Sequence, residues 1–514
     1  MLRIKQILRN LFYNSLNVLF NIIIAIFYIP YLVDKLGILA YGIVPLALVI
    51  NNYIGVITVS LTNSLTRFYS ISIERNQTND ASKYLSSSFI AITLLLILIS
   101  PFLIWFVSKV EFILNIPPNQ IEQARSLFMY TLISFFLSLY SSLINVTLYA
   151  KNRLDYLNII KILRIGVKVI FTVLFFEILA QEVYYIGYAS VLSEIIVLLT
   201  SIYLYRRTIF KGVRVSYRFF EKTALWSMFN MTIWVVVHQI GDTFLYRIDN
   251  ILVNKFWSTR ESGILGAFSE FGTYVMIVVS VISSLFGPLI LIAYSKGNQR
   301  EVKELAIRNS LIVGVSASLL VGILVGFSRP IIGLWLGYEY TDFNNWFVLK
   351  LITIPFYVAA GIFSFVNRAM NKVFLPAVIT VLFGIINLIV SYLILLLNYK
   401  NHIFITYMLM SSAIFIILQS YFLNAYSIIR VYPDIKIKLI SGFLKILTSL
   451  FVVTAMSFFY GEIFKTRNLF EVILGIASVF FVTFPVLFFI VFKHSERIFV
   501  KEQLLIILNR FLRK

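Results

Sequence analysis

The sequence predicts an all-α integral membrane protein of about fourteen transmembrane helices, arranged as two parallel six-helix repeats around a central cavity, plus two C-terminal helices. Three observations carry this. Of 514 residues, 60% are hydrophobic and 13% charged, too apolar for a chain that must show water an ordinary polar surface. Apolar runs of roughly twenty residues recur along the whole length, enough for a helix rising 1.5 Å per residue to cross a hydrocarbon core of about 30 Å. Finally, short patterns return in order at a nearly constant offset, the mark of an internal repeat.

The first element begins in the basic stretch Met1 to Asn10 and runs through the apolar residues 11–33. That run is too long for a signal-peptide core, and no small-x-small cleavage pattern follows Pro30, so it is read as a helix. Hydropathy places the helices at 12–33, 41–62, 84–108, 124–148, 157–180, 183–205, 224–247, 262–293, 305–328, 344–367, 374–398, 402–427, 440–460 and 470–492. The tail, Glu496 to Arg513, sets Ile498, Phe499, Leu505, Leu508 and Leu512 beside Arg497, Lys501, Arg510 and Arg513, the pattern of a helix lying in the interface.

Lys and Arg concentrate on alternate connections, above all at Arg206, Arg207, Lys211, Arg214, Arg218 and Lys222. Because positive loops are retained on the cytoplasmic side, this places that connection and both termini inside, in the cytoplasmic (inner) membrane. The formal charge of +21 is then topology plus attraction to anionic membrane lipids, not a nucleic-acid footprint. The chain has no cysteine and three histidines, which excludes thiolate chemistry and argues against a metal centre.

The repeat is read from four matches. Leu32-Val33-Asp34-Lys35 returns as Leu252-Val253-Asn254-Lys255 at an offset of 220; Gly42 returns as Gly263 at 221, Asn76-Gln77 as Asn298-Gln299 at 222, and Ala150-x-Asn152-Arg153 as Ala369-x-Asn371-Lys372 at 219. Six helices is an even number, so both halves share one orientation. The expected organisation is a bundle at 1–210, a second at 223–430, two additional helices within 431–493 and the interfacial helix at 494–514.

The stretch Tyr31-Leu32-Val33-Asp34-Lys35-Leu36-Gly37 followed by Tyr41-Gly42, together with Ser64-Leu65-Thr66-Arg67-Phe68, Lys151-Asn152-Arg153-Leu154-Asp155-Tyr156-Leu157-Asn158 and Leu225-Trp226-Ser227, resembles the polysaccharide-transporter branch of the multidrug/oligosaccharidyl-lipid/polysaccharide flippase superfamily. The resemblance covers the whole chain. It implies a flippase that moves undecaprenyl-pyrophosphate-linked oligosaccharide repeat units of O-antigen, lipopolysaccharide, capsule or exopolysaccharide from the inner to the outer leaflet by alternating access. A polysaccharide polymerase and a chain-length regulator are the protein partners it implies.

Ionisable groups inside a span are costly unless they face protein or a wet cavity, so each is a site candidate. Lys161, Arg164 and Lys168 share one face of the fifth predicted helix and climb from its cytoplasmic end towards mid-membrane. A pyrophosphate headgroup needs such countercharge, although Lys161 and Arg164 also suit snorkelling anchors. On the first helix Asn14, Asn17, Asn21 and Tyr28 form a polar stripe; on the seventh Ser227, Asn230, Trp234, His238, Asp242 and Asp249 form a broader one. Both suit sugar hydroxyls, and both suit interhelical hydrogen bonds. Asp242, Glu270 and Glu194 are the deep carboxylates, candidates either for ion coupling or for pairing with cations such as Lys168 and Arg247. Arg67 guards an inner mouth or anchors its helix, and Gly287-Pro288, Pro355 and Pro485 are candidate hinges. No cofactor is implied; proton, sodium and membrane potential are alternative driving forces.

A membrane glycosyltransferase or polymerase would need a folded domain or a large outer loop, a metal-nucleotide Asp pair or a phosphate-cradling glycine loop, and these motifs are missing. An enzyme is therefore not expected. The alternatives within the fold are a cation-coupled multidrug exporter and a peptidoglycan lipid-precursor flippase.

Overall fold

The computed structural model describes the backbone of residues 2–208, 213–284, 296–370, 372–397, 402–464 and 468–491, with isolated positions at 286, 287, 290, 293, 294 and 497. Within these, the side chains at 2–8, 11, 25, 50–61, 63, 208, 230–232, 281, 284, 427 and 490 are outside the described residues. So are Lys211, Pro288 and nearly all of the predicted interfacial helix at 494–514.

The described residues form helices and short connections, with no strand among them. The long helices are α1 (Leu2–Tyr41), α2 (Ile43–Glu74), α3 (Thr78–Ser108), α4 (Ile121–Ala150), α5 (Leu154–Ile178), α6 (Tyr184–Thr208), α7 (Lys222–Tyr246), α8 (Thr259–Ser284), α9 (Gln299–Gly326), α10 (Ile354–Ala369), α11 (Phe374–Leu397), α12 (Ile403–Ile417), α13 (Lys436–Phe464) and α14 (Leu469–Ile490). Among the described residues, 11 segments are long and apolar enough to cross a membrane. Helix α5 is long enough too, but Lys161, Arg164 and Lys168 interrupt its apolar run.

Local chemistry sets the boundaries. Gly37 breaks α1 by adopting φ +72°, a conformation that a side chain would strain, although a Cβ there would touch nothing. Asn76 and Asn152 take the same left-handed region (φ 57° and 55°) just past the ends of α2 and α4, as asparagine tolerates. Asn468 and Glu471 close a reciprocal capping box on α14.

Contacts group the chain into two compact units. The first comprises Met1–Glu270 with Thr380–Ile405; the second comprises Phe271–Ile379 with Thr406–Lys514. In the first, Leu65 and Tyr69 of α2, Leu85 and Ile92 of α3, Leu143 of α4 and Met228 of α7 build one buried cluster. The connection into α7 is stitched onto α3. Ser82 Oγ accepts from Arg214 N (3.0 Å), Ser86 Oγ from Ser216 N (3.2 Å) and Ser87 Oγ from Glu221 N (3.0 Å), while Lys83 pairs with Glu221 at 2.8 Å. Elsewhere Asn254, fully buried, mimics a backbone pairing with Asn115: its Oδ1 accepts from Asn115 N (2.8 Å) and its Nδ2 donates to Asn115 O (3.1 Å).

In the second unit α13 lies against a strip of small residues on α9. A Cβ on Gly314 would overlap Ile446 Cδ1, one on Gly326 would overlap Ser457 Cβ, and one on Gly322 would fall 2.8 Å from Val453 Cβ; Ser318 Oγ, on the same spacing, donates to Ile446 O at 3.1 Å. Small residues every fourth position let backbones approach and gain dispersion where lipid offers no hydrophobic drive. In the first repeat, at the offset of 222, the corresponding positions are Ile92, Leu96, Ser100 and Ile104. Three of the four are large, so α3 lacks the groove on which α9 receives the additional helix.

Candidate substrate site

Helix α5 carries the cationic face, and its position against α1 is fixed along its length. At one end Asp155, fully buried in the first turn, pairs with Arg9 (Nε at 2.9 Å) and accepts in bidentate fashion from Arg153 Nε and Nη2 (3.0 and 3.1 Å). Its backbone N–H donates to Asn10 Oδ1 (2.9 Å), and Asn10 Nδ2 donates to Asn152 O (3.2 Å). The Arg153 guanidinium also lies over the Tyr156 ring, 3.6 Å from its centroid. Midway, Tyr28 donates to Thr172 Oγ1 (3.1 Å), and Thr172 donates back to Lys168 O (2.8 Å). At the far end Glu177 pairs with Lys35 at 2.9 Å and accepts from Tyr31 at 3.2 Å.

Between these clamps Arg164 turns into the seam of α4, α5 and α6. Its Nε stands 2.6 Å from Glu194 Oε1, an ion-pair contact, while Nη2 donates to Glu194 Oε2 at 3.2 Å and to Ser141 Oγ at 3.3 Å. Ser193 Oγ fixes the backbone by donating to Arg164 O (2.6 Å). One turn on, half-buried Lys168 feels the charges of both Glu194 and Glu270. Glu270 in turn lies 3.6 Å from Arg247 at the end of α7. The result is a chain of charges, Arg164, Glu194, Lys168, Glu270 and Arg247, drawn from α5, α6, α7 and α8. Three cations face two carboxylates, and Lys161 adds a fourth cation at an exposed position on the same helix.

The other sequence candidates divide. Asn17 and Asn21 are buried and bond each other along α1, Asn21 Nδ2 donating to Asn17 O at 2.7 Å. Asn14 is half-buried, as are Tyr28 and Trp234, and Arg67 is exposed. Asp242 pairs with His238 Nδ1 at 3.1 Å, one turn away on α7. The side chain of Asn230 lies outside the described residues. Asp155, Ser141, Ser193 and Thr172, which hold the cationic helix, are not among the sequence candidates. A carboxylate beside Arg153 in a first helical turn is the available signal for the first of them.

The cationic face has no counterpart in the second repeat. At the offset of 219 that relates the preceding loops, Lys161, Arg164 and Lys168 correspond to Thr380, Phe383 and Asn387 on α11. There α11 meets α7 backbone to backbone instead: a Cβ on Gly241 would lie 2.5 Å from Thr380 C, and one on Gly384 2.8 Å from Gly241 O.

The same helical layout is found in solved structures. The lipid II flippase MurJ in an inward closed conformation matches with TM-score 0.66 at 16% identity, covering 94% of this chain and 99% of that one. An inward-facing multidrug resistance MATE family transporter of the MOP superfamily matches with TM-score 0.63 at 13% identity, covering 80% and 98%. At such identities the likeness establishes the fold. In sequence, the chain is 24% identical over 387 residues to the uncharacterized membrane protein EpsK of Bacillus subtilis (strain 168), covering 73% of this chain and 74% of EpsK. The polysaccharide biosynthesis protein family model matches residues 7–290, more than half the chain and the whole of the cationic helix. A polytopic helical fold shared with flippases and exporters, together with that match, places the chain in the polysaccharide biosynthesis protein family, as a member of its membrane-transporter branch.

Proposed function

We propose that the protein flips polyprenyl-pyrophosphate-linked oligosaccharide repeat units across the cytoplasmic membrane, from inner to outer leaflet, by alternating access between its two repeats. The observation that carries this reading is the excess of positive charge on and around α5. Cations withdrawn from water and not fully matched by carboxylates are costly to hold, and the cost is offset when an anionic ligand completes the set. A diphosphate matches that need, and a guanidinium can clamp two of its oxygens. The amides and phenol of α1, Asn14, Asn17, Asn21 and Tyr28, lie on the helix clamped to α5 and offer hydrogen bonds to the first sugars. A cationic drug would meet like charge here, which counts against the multidrug-exporter alternative. The reading includes an inner-membrane location with both termini cytoplasmic, no enzymatic step, hand-over of the unit to a polymerase, and coupling to an ion gradient or the membrane potential.

The test is surface polysaccharide per inserted protein in the host strain. An Arg164→Ala, Lys168→Ala double variant that inserts normally is expected to lose export and to accumulate lipid-linked units on the inner leaflet. Full export by that variant refutes the assignment of the headgroup to this face.

A further inference from the structure

The Arg164–Glu194 pair has a feature that a purely structural bridge does not require: the carboxylate meets the same guanidinium that the headgroup would use. Resting on the function proposed above, we infer that Glu194 is the internal counter-anion of the empty carrier, occupying Arg164 when no substrate is bound and giving way to the diphosphate when it is. Three observations bear on this. Glu194 is buried, so its negative charge needs a cation in every state of the cycle; Arg164 supplies one by direct contact, and Lys168 stands one turn further along the same helix. Arg164 is also held by Ser141 Oγ, so the guanidinium stays in place when Glu194 swings away. Lys168, one turn beyond Arg164 on the same helix, is the cation onto which the displaced carboxylate can shift.

The exchange has a physical purpose. A transporter that returns empty must carry its binding cations through the low-dielectric state without their ligand, and an unpaired buried guanidinium is expensive. A carboxylate that substitutes for the phosphate oxygens removes that cost, and it also weakens substrate binding, which favours release at the far leaflet. The group lies on α6, opposite the cationic face, and the second repeat has no acid at the matching place: at the offset of 219 from Glu194 stands Ala413. The device belongs to the half that carries the cations.

The sign of a binding change tests this. Full-length protein in nanodiscs is titrated with a short-chain prenyl diphosphate, with the corresponding prenol as the uncharged control. Glu194→Gln, which removes the competing charge and keeps the shape, is expected to bind the diphosphate about tenfold more tightly, the scale of freeing a close charge pair, and to export more slowly. Glu194→Asp, which keeps the charge, should bind like the parent. In an Arg164→Ala background Glu194→Gln should bring no gain. Loss of a merely structural bridge predicts the reverse, weaker binding in Glu194→Gln. Unchanged or weaker binding in Glu194→Gln, while Arg164→Ala still impairs binding, overturns the counter-anion role and leaves the headgroup assignment standing. A parent protein that does not distinguish diphosphate from prenol overturns both.

Discussion

Gly42 at the start of α2 and Gly263 in the first turns of α8 sit directly on one another: a Cβ on Gly263 would fall 2.9 Å from Gly42 Cα. The contact is reciprocal. A Cβ on Gly42 would overlap Thr259 O, and one on Gly263 would meet Ile38 O at 2.7 Å. The step from Ile38 to Thr259 equals the step from Gly42 to Gly263, an offset of 221 in both. Two segments that each touch the other's equivalent residue are what a local two-fold axis generates. Neither position has room for a side chain. Gly263→Ala is therefore expected to lower stability by about 1–3 kcal/mol through overpacking, whereas Gly272→Ala, whose Cβ would reach only ordinary contact with Leu351 at 3.7 Å, should be nearly neutral. Thermal unfolding of the two purified variants decides; equal melting temperatures would refute the packing argument.

The Asp155 latch should be worth far more than the clamp at the other end of the same helix pair. Asp155→Ala leaves Arg9 and Arg153 without their shared carboxylate; both guanidinium groups still reach water, so the loss is on the order of 1–3 kcal/mol, the scale of charge-assisted hydrogen bonds. Glu177 is half exposed, and its bridge to Lys35 is screened by water. A marked fall in melting temperature for Asp155→Ala, beside little change for Glu177→Ala, is the expected pair of results.

The connection docked on α3 gives a proteolytic prediction. Ser87→Ala removes the hydroxyl that serves Glu221 N and O, so trypsin cleavage at Arg214 and Arg218 should speed up severalfold. Acid should do the same. The Lys83 ammonium and the Thr223 hydroxyl hold the Glu221 carboxyl below the usual carboxylate range. Its contribution is thus complete above its unfolded pKa, about 4.3, and is lost as pH falls through the lower folded value. Cleavage by an acid-tolerant protease should be flat from about pH 8 to 5 and rise only below about 4; a rise centred near 6 would exclude Glu221 as the group responsible.

Most of the helices are legible in the sequence because lipid as solvent leaves them with an apolar run of their own, and the glycine pair is legible as a repeat. Tertiary partnerships are not. Glu194 and Arg164 are visible as deep charges, but they lie 30 residues apart on different helices, and hydropathy cannot tell a pair from two sites. The Ser86-Ser87-Ser88 run reads as a polar patch at a helix start. The partners of Ser86 and Ser87, 130 and 134 positions away, are backbone groups that carry no residue signature. Asp155 escapes a sequence reading because a carboxylate near a loop ordinarily faces water, and only packing against Arg9 of α1 shows it buried.

Topology is open to direct labelling because the chain has no cysteine of its own. With the basic connection inside, Arg214→Cys should resist an impermeant maleimide in intact cells and label after permeabilisation, while Lys35→Cys should label in both. Labelling of Arg214→Cys in intact cells would invert the orientation.

The three deep carboxylates can be ranked for ion coupling by their partners. A coupling carboxylate must gain and lose a proton or cation during each cycle, so a carboxylate that keeps a fixed cation beside it in every state is poorly suited to the role. Glu194 is held by Arg164 at 2.6 Å, and Glu270 lies 3.6 Å from Arg247 with Lys168 nearby. Asp242 instead faces His238 at 3.1 Å, a partner whose own charge ordinarily changes between about pH 5 and 8. A His–Asp pair on the half-buried face of α7 can hold one extra proton or exchange it without stranding a fixed cation. Asp242→Asn is therefore expected to leave prenyl diphosphate binding within about twofold of the parent while transport in proteoliposomes stops responding to an imposed proton or sodium gradient. Glu270→Gln should keep that response and change binding instead, because it alters the charge beside Lys168. The measurement is initial transport rate with and without each gradient. A gradient response that survives in Asp242→Asn and vanishes in Glu270→Gln would reverse the ranking.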